Sequence, residues 1–311
     1  MNSRVPPPVQ TPAGVSSREN LIGIGYLFLT ALCWSFVAVT IKQLTARVDP
    51  YTISFFRVFL ASLVFVVLFV RQGGDWRRLR WWAPWILLAA AGRAGNYLFY
   101  NAGIVYTPSA AATILAPVQQ IGVIVLARLV IGESMRGKEW GVALSLAGLL
   151  LIWWNGQSWA TLLAPDYLWG YSLLIIAGLC SAVHFSAQRL LSATASGLEI
   201  LLPVFVLATL ITVPFAWDAG GFSRSYPLQT WVSLLLLGLV LTGGSFYFMG
   251  EGYKRCDATT GVVITNSGVL LTAVWSVLIL HEYVSWVMVI GLILGIAGTL
   301  FTIIGDQRRF R

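Results

Sequence analysis

Gly95–Glu133 reads GNYLFYNAGIVYTPSAAATILAPVQQIGVIVLARLVIGE, and Gly244–Glu282 reads GSFYFMGEGYKRCDATTGVVITNSGVLLTAVWSVLILHE. The two stretches lie over one another without a gap. Gly95, Phe99, Gly103 and Glu133 meet Gly244, Phe248, Gly252 and Glu282. One residue later the match resumes, with Gly141, Leu144, Ala147 and Gly148 meeting Gly291, Leu294, Ala297 and Gly298. Similarity at a fixed offset marks a duplicated unit, so the chain reads as two similar halves.

The composition decides where those halves live. The chain is 58% hydrophobic and only 10% charged, with a mean hydropathy of +0.79, whereas a soluble domain is about one quarter charged. It belongs in a bilayer. The net charge of +8 is carried by short clusters between apolar runs, which orient a membrane protein better than they bind nucleic acid. Cys33, Cys180 and Cys256 have neither the number nor the spacing of a disulfide framework or metal site, and no cofactor is expected.

Residues 1–20 are polar and Pro-rich, without the apolar core of a signal peptide, and read as a mobile tail. Ten apolar segments follow, at about 21–42, 50–71, 84–105, 108–131, 138–155, 166–188, 198–216, 230–250, 258–280 and 286–305. Each is near the roughly 20 residues that a spanning helix needs. Helices are expected because backbone groups in hydrocarbon must be satisfied within the segment, and no alternating barrel pattern is present.

Charge sets the orientation. Of the twenty Lys and Arg, Arg57 and Arg93 lie within spans. If the N-terminus is cytoplasmic, only Lys42, Arg47 and Arg224 fall outside, which leaves fifteen inside. Lys and Arg accumulate in cytoplasmic loops, so both termini are expected in the cytoplasm. Five spans per half is an odd number, so the second half enters the membrane inverted. The expected fold is all-α: two inverted five-helix repeats at 21–155 and 166–305, closed by a basic tail at 306–311. Inverted repeats are a recurring plan of secondary transporters, whose substrate site lies near the midplane between the halves.

That plan points to candidate cavity residues. Pro117 sits near mid-depth of the fourth span, where it frees a carbonyl near Thr113. Its counterpart in the second half is Asn266, beside Ser267, and Gln120 lies close by. The third span contributes Asn96, Tyr97 and Tyr100, and the eighth Tyr247. Aromatic rings with a few amide and hydroxyl groups suit a ligand with an apolar body and a polar end. Most Trp residues are expected in interface belts; Trp34 and Trp275 lie inside spans, where ligand stacking and packing are both open. Arg93 near mid-depth and Arg57 toward the outer face are buried cations that need a partner or a wet cavity. A substrate carboxylate is one such partner. An ion pair with Glu282 or Asp49 for Arg57, and snorkelling for Arg93, are the alternatives. The Gly residues at 95, 103, 244, 252, 291, 295 and 298 are expected to make small-residue faces for helix packing.

Absences narrow the mechanism. All twelve acids fall in loops, tails or near span ends, so no intramembrane carboxylate relay for protons is evident. The phosphate-binding pattern GxxxxGK followed by Ser or Thr is missing, so ATP is not expected to drive the protein directly. No acid/base pair or nucleophile constellation suggests an enzyme.

FFRVFLASLVF (55–65), IGESMRGKEWGVALSLAGLLLI (131–152) and LHEYVSWVMVIGLILGIAGTLF (280–301), set in a ten-span duplication, resemble the EamA-type carriers of the drug/metabolite transporter superfamily. The chain looks most like bacterial inner-membrane exporters of aromatic and other neutral amino acids, and the implied range extends to toxic analogues. The resemblance implies alternating access, a structural or gating role for Arg57, Glu133 and Glu282, and a monomer sufficient in the lipid bilayer. It departs from the four-span multidrug members, whose first helix carries a proton-coupling Glu; here that span reads LTALCWSFVAVTIK (29–42). Export down the substrate gradient is therefore expected. Organic-anion or sugar-phosphate exchange, with Lys42, Arg57 and Arg93 as an anion clamp, and proton-coupled export remain the alternatives.

Overall fold

The computed structural model describes residues 17–79, 81, 83–131, 139–192, 195–256 and 258–309. Among the described residues every regular element is a helix. α1 (Ser17–Leu44) leads to α2 (Pro50–Arg71), whose start is fixed by Pro50 and by the Asp49 side chain, which accepts from the Tyr51 amide. Proline suits a first helical turn because the amide it lacks would have no partner there. α3 (Pro84–Tyr106) begins in the same way. The next segment is compound: a 3₁₀ helix at Ser109–Ile114, α4 (Leu115–Leu126), and a π turn at Ala127–Ile131. α5 (Glu139–Trp154) and a single turn, α6 (Trp159–Leu162), close the first half.

α7 (Pro165–Leu191) and α8 (Gly197–Asp218) follow, the latter opened by a reciprocal cap between Ser196 and Glu199. α9 (Leu228–Leu235) passes through a π-helical stretch, Leu236–Gly244, into α10 (Ser245–Tyr253). α11 (Ala258–Leu280) and α12 (Trp286–Arg309) complete the chain. Among the described residues the helical backbone runs from Ser17 to Arg309, reaching into both stretches read as tails.

Seven described stretches are long and apolar enough to cross a membrane: Arg18–Leu44, Pro50–Arg71, Ser109–Val130, Pro165–Leu191, Gly197–Asp218, Leu228–Tyr253 and Val263–Leu280. Glu139–Trp154 and Trp286–Thr302 are shorter apolar helices. α3 has the length but buries Arg93, Asn96 and Asn101 along one side. Large apolar side chains such as Leu129, Leu228 and Trp286 lie exposed on the outside, as lipid-facing positions do.

The packing is set by small residues. α5 lies along α12, and a Cβ added to Gly148 would fall 2.6 Å from the Gly291 carbonyl, while one on Gly298 would fall 2.6 Å from the Gly141 carbonyl. The glycines matched between the repeats therefore face one another across this seam. α3 lies along α7, where a Cβ on Gly92 would fall 2.7 Å from the Cys180 carbonyl. The buried His184 of α7 uses that proximity, its Nδ1 lying 3.1 Å from the Ala89 carbonyl. α1 packs on α11 as α7 packs on α4; α2 packs on the π stretch as α8 packs on α3; and α2 meets α8.

Candidate functional site

Seven elements, α1, α2, α3, the Ser109–Ile131 segment, α7, α10 and α11, surround one cavity of about 230 Å³. α3 presents Arg93, Asn96, Tyr97 and Tyr100 to it, a spacing that places all four on one helix face. α11 presents Thr265, Gly268, Val269 and Thr272 in the same rhythm, with Asn266 beside them. That face is brought close by Gly268, where a Cβ would fall 2.6 Å from the Ala31 carbonyl of α1. Trp34 of α1 closes the wall, its Nε1 donating to Ser245 Oγ at 2.9 Å and its ring lying edge-on to Phe246.

Two arginines dominate the chemistry. Arg93 is 3% exposed, and its guanidinium lies over the rings of Phe246 at 4.7 Å, Phe185 at 5.3 Å, Tyr97 at 5.4 Å and Phe205 at 5.6 Å. Such cation–π contacts offset part of the cost of burying the charge. They do not satisfy its donors: Nε and Nη2 are buried and have no hydrogen-bond partner. Arg57, 7% exposed, lies 4.1 Å from the Tyr97 centroid, and its Nε donates to Thr242 Oγ1 at 2.9 Å. Thr242 sits in the π-helical stretch and donates in turn to the Leu237 carbonyl five residues back. A π turn leaves an offset of this kind, and such turns concentrate at functional sites. The two guanidiniums share the Tyr97 ring, so they are no farther apart than their two ring distances combined. Two like charges this close repel by about 2 kcal/mol at an effective dielectric of about 20. Among the described residues neither arginine has a carboxylate within ion-pair distance, and no Asp or Glu lines the cavity.

The ion pairs considered for Arg57 do not form. Asp49 is occupied as the cap of α2. Glu282 accepts from the Ser109 amide and hydroxyl, each at 2.7 Å, and from the Ser276 hydroxyl, which clasps the start of the 3₁₀ helix to the end of α11. Lys42 leaves the anion clamp: its Nζ donates to the carbonyls of Ile104, Val105 and Thr107 at the C-terminal end of α3, where a cation suits the helix dipole. Glu133 lies outside the described residues.

The cavity gathers Trp34, Arg93, Asn96, Tyr97, Tyr100, Thr113 and Asn266. Pro117 lies beside it, lining a small void toward α12. The backbone before Pro117 is wound as 3₁₀ helix, whereas α11 is continuous through Asn266, so the two matched segments are not interrupted alike. Gln120 faces the seam: its Nε2 donates to Thr302 Oγ1 at 2.8 Å and to the Gly298 carbonyl, and its Oε1 accepts from Ser145 and Thr299. Tyr247 and Ser267 do not line the cavity either, and Ser267 Oγ donates to the Ile264 carbonyl of its own helix. Their neighbours Gln119 and Phe246 line it instead, together with Arg57, Ser181 and Phe185. Trp275 packs by stacking on Phe36 at 4.7 Å and donating to Ser35 Oγ.

Apolar helices around a central cavity lined by aromatic rings, amides and two arginines define a class: helical membrane proteins with a site of solute size. Within it, the chain belongs to the EamA-like transporter family, which residues 21–154 and 168–304 match. It is 24% identical over 301 residues to the uncharacterized inner membrane transporter YhbE of Escherichia coli, covering 92% of each chain. It is 28% identical over 265 residues to the pseudopaline exporter CntI of Pseudomonas aeruginosa, covering 84% of this chain and 88% of that one. An uncharacterized transporter of Archaeoglobus fulgidus is 28% identical over 280 residues, 89% of this chain and 95% of its own. A solved crystal structure shares the fold, with a TM-score of 0.65 at 21% identity over 93% of this chain and 98% of that one.

Proposed function

We propose that the chain is a secondary transporter of the bacterial inner membrane that exports amino acids, aromatic and other neutral ones foremost, by alternating access. The observation that carries the reading is Arg93: a buried guanidinium with two unpartnered nitrogens, set among aromatic rings beside the cavity. An α-carboxylate supplies the missing acceptor, since a charge-assisted pair with a guanidinium is strong and directional. The aromatic wall takes the side chain. At about 230 Å³ the cavity is smaller than the roughly 300–1,000 Å³ of drug-sized sites, which favours a single small solute.

The reading includes ten spans as two inverted repeats, 21–155 and 166–305, with both termini cytoplasmic and one chain sufficient for transport. The reciprocal packing supports it: α1–α11 answers α4–α7, α3–α8 answers α2 with the π stretch, and α5–α12 and α2–α8 lie on the relating axis. In that arrangement the Glu282 clasp and the Lys42 cap both sit at the outer end and close it. Substrate runs down its own gradient, because among the described residues no carboxylate faces the cavity to relay a proton. Reconstitution in liposomes tests the proposal, with labelled tryptophan, phenylalanine and threonine measured with and without a pH gradient. Flux that saturates and persists without the gradient is expected; no flux of any of the three overturns the amino-acid reading, and flux that requires the gradient overturns the uncoupled mechanism.

A further inference from the structure

The charge inside the cavity goes further than the class of solute. Its lining carries two guanidiniums, Arg57 and Arg93, and not one carboxylate among the described residues. A zwitterionic amino acid would bring an ammonium group into that space. It would find only neutral acceptors there, the amides of Asn96, Gln119 and Asn266 and the hydroxyls of the lining Tyr, Thr and Ser residues, and Gln119 Oε1 is already taken by the Ser181 hydroxyl at 2.6 Å. Asn96 Nδ2 is spent on the Ala177 carbonyl, and Asn266 Nδ2 is a second buried donor without a partner. The fully buried polar atoms of the site that lack a partner are donors: Nε and Nη2 of Arg93 and Nδ2 of Asn266. Unmet donors beside uncompensated positive charge call for acceptors and negative charge.

Resting on the reading that this cavity is the transport site, we infer that the species it prefers over the free zwitterion is a net anion: a small organic carboxylate with an apolar body and no free ammonium group, such as an N-acylated amino acid or an aromatic acid. One carboxylate oxygen pair meets Arg93, with the charge of Arg57 held close by its stacking on Tyr97 and its bond to Thr242. The acyl carbonyl of an N-acylated amino acid accepts from Asn266. The rings of Trp34, Phe185 and Phe246 enclose the body. Acylation converts the one group that the cavity repels into one that it can bind, so the free and the acylated forms of a single amino acid isolate the effect.

The test is net uptake into liposomes holding the purified chain, with labelled phenylalanine and labelled N-acetylphenylalanine side by side. At equal concentration, N-acetylphenylalanine is expected to enter at least ten times faster, and its uptake to respond to an imposed membrane potential as that of an anion. Arg93→Gln should abolish that uptake, while Arg93→Lys, which keeps the charge but loses the fork, should retain a fraction of it. Thermal unfolding in detergent separates binding from folding: N-acetylphenylalanine should raise the midpoint of the unsubstituted chain and leave that of Arg93→Gln unmoved. Phenylalanine entering as fast as, or faster than, its acetyl derivative overturns the inference and leaves the amino-acid transporter reading standing. Entry of neither, with no thermal shift, overturns both.

Discussion

Gly148→Ala adds one methyl group, yet the seam between α5 and α12 makes it a severe perturbation. The new Cβ would lie 2.6 Å from the Gly291 carbonyl oxygen, 2.7 Å from the Gly295 nitrogen and 3.0 Å from the Gly295 Cα. All three are backbone atoms, so no side chain can turn aside. Favourable contact needs about 3.5–4.0 Å, and the helices must part by about 1 Å, a gap that forfeits roughly a quarter to a half of each contact across the seam. Overpacking of this kind costs about 1–3 kcal/mol. Alanine returns about 0.5–1 kcal/mol as the better helix former, which leaves a net loss of about 1–2 kcal/mol. At about 2–4 °C per kcal/mol the thermal midpoint should fall by several degrees. Gly25→Ala in α1 is the control, because a Cβ there meets nothing within 4 Å; only the helix-propensity gain remains, and the midpoint should hold or rise. Loss of the monodisperse peak after graded heating in detergent reads both. A Gly148→Ala protein as stable as Gly25→Ala would refute close backbone contact along this seam.

Adjacent glutamines should separate by role. Gln120→Ala removes bonds to Thr302, Ser145 and Thr299 and should lower thermal stability by about 1–3 kcal/mol, the cost of unpaired buried groups. Gln119→Ala, facing the cavity, gives up one bond, from Ser181, so it should cost less stability than Gln120→Ala and alter the apparent KM of the transported solute; equal midpoints for the two variants would contradict the assignment of faces. Glu282→Ala strips the Ser109 amide of its acceptor, which should destabilise the chain by a similar amount and let an impermeant thiol reagent reach a cysteine placed at Thr113 from the outer side. A Thr113→Cys, Glu282→Ala protein no more reactive than Thr113→Cys alone would rule out the clasp as a closure.

Much of this arrangement could be read from the chain because it rests on patterns that one dimension preserves. The glycines matched between Gly141–Gly148 and Gly291–Gly298 are the ones that meet, and the polar and aromatic residues singled out on the third span, Arg93, Asn96, Tyr97 and Tyr100, all line the cavity. What could not be read is which of two neighbouring residues turns inward. Gln119 and Gln120, Phe246 and Tyr247, differ by about 100° around a helix axis, and only packing fixes that rotation. At Phe246 the preceding π-helical stretch, Leu236–Gly244, also shifts the register, and nothing in its composition announces an i→i+5 turn. The partners of Arg57 were hidden for another reason: charge complementarity favours Glu282 or Asp49, but both carboxylates are taken by backbone amides at helix ends, leaving Thr242 and an aromatic ring to hold the cation.

The claim beneath the proposed mechanism is that the cavity opens alternately to the two sides of the membrane. A single cysteine at Asn266, in a chain with Cys33, Cys180 and Cys256 replaced by alanine, tests it when an impermeant thiol reagent is applied to one face and then the other of sealed, uniformly oriented vesicles. Alternating access predicts labelling from either face, with the balance moved by adding transported solute to one side. Labelling from one face alone under every solute condition, or from neither, would contradict it.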